Sequence, residues 1–218
     1  MSLDRPTLWA EFASRCLCSS VQALCRKERY NMKNRTQILR MTMLAMMIAI
    51  GVVISPILRI EGMCPMAHLI NITCSVLMGP WYSLLCATLI GVIRMSFMGI
   101  PPIALTGAVF GAFLSGVLYR ASKGKIICAV IGEVIGTGLI GSVISYPVMA
   151  ILVHKSGLSW FFYTPLFICG TLIGGTIAFF FLVALRKTGM LVKIQRALGG
   201  KIYDDHAADR SAAAADQG

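Results

Sequence analysis

The sequence has few charged side chains, and acidic ones are especially rare. Only 9 of its 218 residues are Asp or Glu, and charged residues make up 13% of the chain against 57% hydrophobic residues. Soluble domains normally carry about a quarter of their residues as charged side chains. The composition therefore excludes an ordinary soluble protein and indicates that a lipid bilayer surrounds most of the chain.

Motifs typical of enzymes and metal proteins are also absent. The chain has no GxxxxGK[ST] phosphate loop, and residues 199–202 lack both its spacing and its hydroxyl. It has no HExxH, no GxSxG and no paired carboxylates. Its eight cysteines show no CxxC or Cys/His spacing. We therefore expect no catalytic residue, no metal, no cofactor and no ATP hydrolysis by this chain.

Six apolar runs are candidates for membrane-spanning helices, each of which needs about 20 apolar residues. They cover residues 37–57, 66–78, 81–98, 103–119, 126–153 and 159–185. The second and third runs are short and are separated by Gly79 and Pro80, a pair that marks a turn. We predict an all-α integral membrane protein in which six transmembrane helices form one bundle over residues 37–185.

Positive charges are unevenly divided between the two sides of these spans. Of the 20 Lys and Arg residues, eight lie in residues 1–40, three in 120–125 and six from 186 onward, whereas only Arg59 and Lys155 fall in the opposite loops. The positive-inside rule then predicts that both termini are cytoplasmic. This topology accounts for the basic composition, so we expect contact with anionic lipid and no nucleic-acid partner.

The two ends of the chain differ from the apolar middle. Residues 1–36 are polar and basic and have no signal-peptide core, so we expect a cytoplasmic N-terminal extension. The alternative is that the true start is Met32. Residues 186–218 are expected to form a cytoplasmic tail that is first basic and then disordered.

Polar side chains inside the apolar runs are the candidates for function, because ionisable groups are costly in a membrane. His68 and Asn71 lie three residues apart, so they share a helix face near the outer surface. They either bind a small polar molecule or form an interhelical hydrogen bond. Arg94 is either a ligand clamp or an ion-pair partner of Glu133, although helix geometry places these two about 20 Å and about 10 Å above the inner surface.

Small residues recur at helical spacing and predict close packing of the spans. The pairs are Gly107 and Gly111, Gly170 and Gly174, and Ala45 and Ala49; residues 132–138 are also rich in glycine. The sequence therefore predicts a compact bundle with a small cavity between the outer helix ends.

The pattern as a whole resembles the S components of energy-coupling-factor (ECF) transporters. It combines six spans, short second and third spans, no ATP motif, and the Ala45-x-x-x-Ala49 motif on the first span. Residues 65–71, 77–82 and 132–138, followed by Tyr146 and Pro147, resemble the ThiW family. The resemblance covers residues 32–185 and implies an S-component-like bundle in a bacterial plasma membrane. The N-terminal extension is not part of this pattern.

The resemblance also implies a cargo and a mechanism. The cargo would be hydroxyethylthiazole, the thiazole precursor of thiamine, captured on the outer side. The S component would dock through Ala45 and Ala49 on a transmembrane coupling subunit that carries two ABC-type ATPases, and would topple to release the cargo. A small, nearly neutral heterocycle needs hydrogen bonds and an aromatic wall. The candidate binding residues are His68, Asn71, Arg94, Tyr146, Trp160 and Tyr163, with Glu133 as a structural charge.

Three other interpretations remain open from the sequence. The chain could be an S component for thiamine or its pyrimidine precursor, and a charged cargo would favour a carboxylate such as Glu61. It could be a membrane enzyme acting on lipid through Glu133 or His154. It could be a secondary transporter that works alone, although it shows no convincing inverted repeat.

Overall fold

A computed structural model of the protein describes residues 34–56, 64–152 and 160–200. The chain divides into two compact units, Met1–Leu39 and Arg40–Gly218. Residues 34–39 are the described part of the first unit, and the second unit holds all the other described residues. Most of the predicted N-terminal extension, the Ala-rich end and the side chains of Arg59, Glu61 and His154 lie outside the described residues.

The described residues form helices, and none of them belongs to a strand. Pro65 and Pro80 each stand at the first position of a helix, where the missing amide N–H leaves no hydrogen bond unmade. Between these two helices lies Gly79, whose φ of +93° favours glycine. The helices are α1 (Asn34–Pro56), α2 (Pro65–Met78), α3 (Pro80–Met98), α4 (Ile103–Ala121), α5 (Ile126–Glu133), the π-helix π1 (Val134–Gly141), α6 (Ser142–Leu152), α7 (Thr164–Lys187) and α8 (Met190–Ala197).

Four of these helices are long and apolar enough to cross a membrane. They are α1, α3, the continuous helix Ile126–Ile151 formed by α5, π1 and α6, and α7. Two shorter apolar helices, Pro65–Met78 and Leu105–Ala121, correspond to the second and fourth predicted spans. Each of the six predicted apolar runs contains a helix, but the sixth begins at Thr164 instead of residue 159, since residues 160–163 form a turn. An all-helical bundle that passes several times through a membrane follows from these lengths and compositions.

The distribution of side chains is the reverse of that in a soluble protein. Large apolar side chains such as Met41, Val53 and Phe180 expose more than half of their surface. Polar side chains lie inside instead: the hydroxyls of Ser75 on α2 and Ser115 on α4 are 2.8 Å apart and fully buried. Helices in lipid associate through close packing and such hydrogen bonds, since apolar surface gains little by leaving lipid.

Helix α4 packs against α5 and π1 through glycine. A Cβ atom added to Gly136 would lie 2.7 Å from the Cα atom of Gly111, and one added to Gly141 would lie 2.8 Å from the Cα atom of Gly107. The two backbones therefore touch directly, as the small-residue spacing predicts. This contact brings the middle of π1 within reach of the bundle interior.

One end of the bundle collects the positive charge, and we call it the basic end. There α1, α3 and α5 begin, and α2, α4 and α7 end, so neighbouring helices run antiparallel. Within the described part of the second unit, Arg94 is the only Lys or Arg that lies elsewhere. The residues of the basic end are Arg40, Arg120, Lys123, Lys125, Arg186, Lys187, Lys193 and Arg196.

Helix α8, which the apolar runs of the sequence do not predict, closes the basic end. Leu191 and Val192 are buried on one side, whereas Lys193 faces outward. The side-chain amide of Gln195 donates hydrogen bonds to the carbonyl of Val76 (2.9 Å) and to the hydroxyl of Tyr119 (3.2 Å). The beginning of the predicted basic tail is therefore an amphipathic helix docked under α2 and α4.

Candidate functional site

Glu133 lies at the centre of a buried polar cluster. It is the last residue of α5, is 0% exposed, and is the only acidic residue in the described part of the chain. Its Oε1 accepts hydrogen bonds from His68 Nδ1 (2.9 Å), Asn71 Nδ2 (3.1 Å) and Thr137 Oγ1 (3.3 Å). A buried carboxylate needs such donors to offset its lost hydration. We call these four residues the polar cluster.

The second carboxylate oxygen of Glu133 has no such compensation. Oε2 is buried and has no hydrogen-bond partner among the described residues. A Cβ atom added to Gly111 of α4 would lie 2.9 Å from it, so only a glycine fits beside this oxygen. Unsatisfied buried acceptors are rare and costly, which makes this oxygen a natural point for an additional donor.

His68 presents a hydrogen-bonding atom that the bundle does not use. When the carboxylate is ionised, Nδ1 must carry the proton that it donates to Glu133. In the neutral imidazole this leaves Nε2 as an acceptor, and no described residue hydrogen-bonds to it. The His68 side chain is 11% exposed, whereas the Glu133 side chain is fully buried. The contact with Glu133 thus orients a ring whose Nε2 has no hydrogen-bond partner among the described residues.

Asn71 of α2 makes polar contacts with three other helices, α3, α4 and α5. The side-chain Nδ2 of Asn71 also lies 3.4 Å from the backbone carbonyl of Ala108 on α4. The backbone carbonyl of Asn71 accepts a 3.0 Å hydrogen bond from Ser83 Oγ on α3. Of the two alternatives for His68 and Asn71, the interhelical hydrogen bond is therefore present for both. Among the described residues, Nε2 of His68 and Oδ1 of Asn71 have no hydrogen-bond partner and are the atoms left to offer.

Thr137 is a member of the cluster that the sequence analysis did not select. It lies in π1, four residues after Glu133, and is 2% exposed. The spacing is the available signal, since residues four apart share a helix face. π-Helical segments are rare and frequently occur at functional sites. Here the π-helix begins directly after the buried acid.

The predicted aromatic residues lie toward the end opposite the basic end. Tyr146 and Trp160 are in contact, with ring centroids 4.7 Å apart, while Tyr163 is buried and its centroid is 6.4 Å from that of Phe167. A Cβ atom added to Gly107 would lie 2.9 Å from the Phe167 ring and 3.4 Å from the Thr137 methyl group. Phe167 and Thr137 therefore both lie beside Gly107. We call Tyr146, Trp160, Tyr163 and Phe167 the aromatic group.

A comparison with protein-family models decides the family. Residues 41–188 match the model described as thiamine-precursor transporter protein (ThiW). The match covers more than half of the 218 residues and includes the whole polar cluster and the aromatic group. The chain belongs to the ThiW family. No curated protein and no solved structure matches it.

Membership in ThiW confirms the family resemblance of the sequence. It makes the chain a multi-pass membrane transporter protein for a thiamine precursor. The match extends to residue 188 and stops just before α8, so Gln195 lies outside the matched region, whereas its hydrogen-bond partners on Val76 and Tyr119 lie inside it.

Arg94 of this ThiW protein does not pair with Glu133. It is 3% exposed, its Nη2 donates to Cys64 Sγ at 3.1 Å, and its Nε has no partner among the described residues. Arg94 is 14 residues into α3, about 21 Å from the basic end, whereas Glu133 is about 10 Å from it. The ion pair considered from the sequence is therefore absent, because the difference in depth keeps these charges apart. A role of Arg94 as ligand clamp stays a prediction.

The first helix of this ThiW protein has two distinct faces. Leu44 and Gly51 are buried against the bundle, and a Cβ atom on Gly51 would collide with Ile90. Ala45 and Ala49 are exposed on another side of α1, one helical turn apart. A second helix can approach this surface closely, because neither alanine has a side chain beyond Cβ.

Proposed function

We propose that this ThiW protein is the S component of an ATP-driven ECF importer and that its cargo is hydroxyethylthiazole. The observation that supports this cargo most strongly is the free Nε2 of His68, held in place by Glu133. The proposal includes six membrane-spanning helices, with α2 and α4 as the short ones, in a bacterial plasma membrane. The basic end faces the cytoplasm, as the positive-inside rule requires.

The short α2 explains how a cargo reaches the polar cluster. Its 14 residues span about 21 Å, which is less than the roughly 30 Å of the hydrocarbon core. Since α2 ends at the basic end, its first residues lie below the opposite surface. We therefore expect the cargo to reach His68, in the first turn of α2, from the outer side, toward which the aromatic side chains also lie.

The chemistry of the site suits a neutral heterocycle with one hydroxyl. The cargo hydroxyl donates to Nε2 of His68, whose Nδ1 proton is committed to Glu133. The flat thiazole ring packs against the aromatic group, with Tyr146 and Trp160 as its outer wall. Thr137 acts by holding Glu133, while Asn71 holds Glu133 through Nδ2 and leaves its Oδ1 available to the cargo.

A second cargo is favoured by one specific observation. Glu133 Oε2 has no hydrogen-bond partner among the described residues, and an unpaired carboxylate oxygen would also attract a cationic ring such as that of thiamine. The uptake test below therefore includes thiamine and its pyrimidine precursor. A lipid-modifying enzyme or an autonomous secondary transporter gains no support from the site.

The proposed function is tested by uptake of radiolabelled hydroxyethylthiazole into cells that lack their own thiazole transporter. We expect uptake only when the chain is produced together with a coupling subunit and two ABC-type ATPases. Uptake by the chain alone would contradict the S-component assignment. Selective uptake of thiamine or the pyrimidine would keep that assignment and replace the cargo.

Large substitutions on the exposed alanine face of α1 are expected to reduce transport without reducing cargo binding. Ala45→Trp and Ala49→Trp should lower ATP-dependent uptake at least about tenfold, because a large ring prevents the close helix approach that small residues permit. Cargo affinity should stay within about twofold, since both alanines point away from the polar cluster. Ala184→Trp, at an exposed position on α7, is the matched control. Equal losses in all three variants would remove the special role of this face.

A further inference from the structure

The basic end contains a pocket that the transport of a thiamine precursor does not explain. Its volume is about 430 Å³. Arg40 of α1, Tyr82 of α3 and Arg120 of α4 line it, together with Leu198 and Gly199 after α8. The pocket lies at the end of the bundle opposite the aromatic group, so it is separate from the proposed cargo site.

The first arginine of the pocket is fixed in place. Arg40 Nε donates to the carbonyl of Leu198 (2.6 Å), and Nη2 donates to that of Gly199 (3.1 Å). Its guanidinium also lies over the ring of Tyr82, 5.8 Å from the centroid. These contacts orient the charge but leave it unneutralised, because carbonyl groups carry no net charge.

The second arginine is free to bind. Arg120 has an exposed side chain, and no ion pair or side-chain hydrogen bond of it occurs in the described part of the chain. Its guanidinium lies against Gly79, where any Cβ atom would collide with it. The positive φ of Gly79 and its missing side chain thus make room for this cation at the pocket wall.

No carboxylate of the described residues compensates these two charges. Glu133 is the only acid there, and it lies about 10 Å deeper, bound to His68. Two guanidiniums that share a pocket without a counter-charge repel each other, and an anion removes that cost. Arginine matches phosphate geometry with two parallel hydrogen bonds, which makes phosphate the best-fitting anion.

We propose that this pocket binds a phosphate group, and that Arg120 is its principal ligand with Arg40 as the fixed second charge. A basic pocket between transmembrane helices at a positively charged membrane surface is typical of sites for anionic lipid headgroups. Free phosphate offers the same chemistry. In either case the occupant bridges α1, α4 and the end of α8. This proposal does not depend on the identity of the cargo.

The test uses the full-length chain in nanodiscs of phosphatidylcholine, with or without phosphatidylglycerol, and native mass spectrometry of retained lipid. We expect preferential retention of phosphatidylglycerol and a drop of about tenfold in Arg120→Gln, which removes one charged hydrogen-bonding partner. Arg196→Gln, an exposed cation of the same end outside the pocket, is the control and should retain the lipid. Thermal unfolding of Arg120→Gln at the wild-type temperature would show that the variant is folded.

A second arm separates the two sources of phosphate. Inorganic phosphate is titrated onto the chain in phosphatidylcholine nanodiscs and followed by ³¹P line broadening. Broadening that disappears in Arg120→Gln, without selective lipid retention, would support the pocket and assign it to soluble phosphate. If neither probe binds, or if Arg120→Gln and Arg196→Gln lose binding equally, the proposal is wrong.

Discussion

Glu133→Leu is expected to abolish cargo binding and to destabilise the bundle by about 3–5 kcal/mol, because removing one partner of a buried polar pair strands the others. His68, Asn71 and Thr137 all lose their common acceptor in this variant. Thermal unfolding of the purified chain in detergent measures the stability, and isothermal titration with hydroxyethylthiazole measures the affinity.

Two further variants separate folding from binding at this site. Glu133→Gln keeps an acceptor oxygen but not the charge. We therefore expect it to be nearly as stable as the wild type and to bind hydroxyethylthiazole about tenfold more weakly than the wild type. His68→Ala leaves Glu133 with Asn71 and Thr137, yet removes Nε2. It should lower the unfolding temperature less than Glu133→Leu does, because Glu133 keeps two donors, and should bind the cargo at least about tenfold more weakly. Normal affinity in His68→Ala would move the cargo away from the polar cluster.

Gly111→Ala is expected to produce the second large effect. The new methyl group would collide with Thr137 Oγ1 and lie 2.9 Å from Glu133 Oε2, where the neighbouring backbone of π1 leaves no room to yield. Overpacking of this kind costs about 1–3 kcal/mol, and it also displaces a donor to Glu133. We therefore expect lower thermal stability together with weaker cargo binding in the same two assays.

Gly138→Ala is the matched control for this substitution. Its Cβ atom would lie 3.1 Å from Ile168 Cγ1, a side-chain atom that can shift, and would not approach the polar cluster. Both variants gain the same helix propensity, about 1 kcal/mol relative to glycine, so the difference between them reports the local collision. Equal behaviour of the two variants would show that the contact between Gly111 and Thr137 has no special importance.

Much of the bundle could be predicted from the sequence, because the length and apolar composition of a segment identify it as a membrane helix. The six runs, the Gly79 turn and the close approach at Gly107 and Gly111 all follow from local rules. The π-helix did not, since nothing in residues 134–141 distinguishes it from an α-helix before α4 is in place. Helix α8 was missed because its eight residues are amphipathic and too short to register as a span.

The sequence predicts which residues belong to the candidate site better than it predicts which of them contact each other. His68, Asn71 and Glu133 were selected because polar groups are expensive inside a membrane. The hydrogen bonds of His68 and Asn71 to Glu133 Oε1 depend on how far α2 and α5 are shifted along each other. No local sequence pattern encodes that shift. Arg94 illustrates the same point, since it was the obvious counter-charge by sign but lies about 10 Å too far from the basic end.

The central claim is that hydroxyethylthiazole binds between the polar cluster and the aromatic group. Its most direct test is a tryptophan fluorescence titration with hydroxyethylthiazole, thiamine and the pyrimidine precursor. Trp160 contacts Tyr146 beside the proposed site, whereas Trp81 packs on Phe113 near the basic end. We predict saturable quenching by the thiazole alone, retained in Trp81→Phe and lost in Trp160→Phe. Absence of any response to the thiazole, or a response that His68→Ala leaves unchanged, would contradict this account.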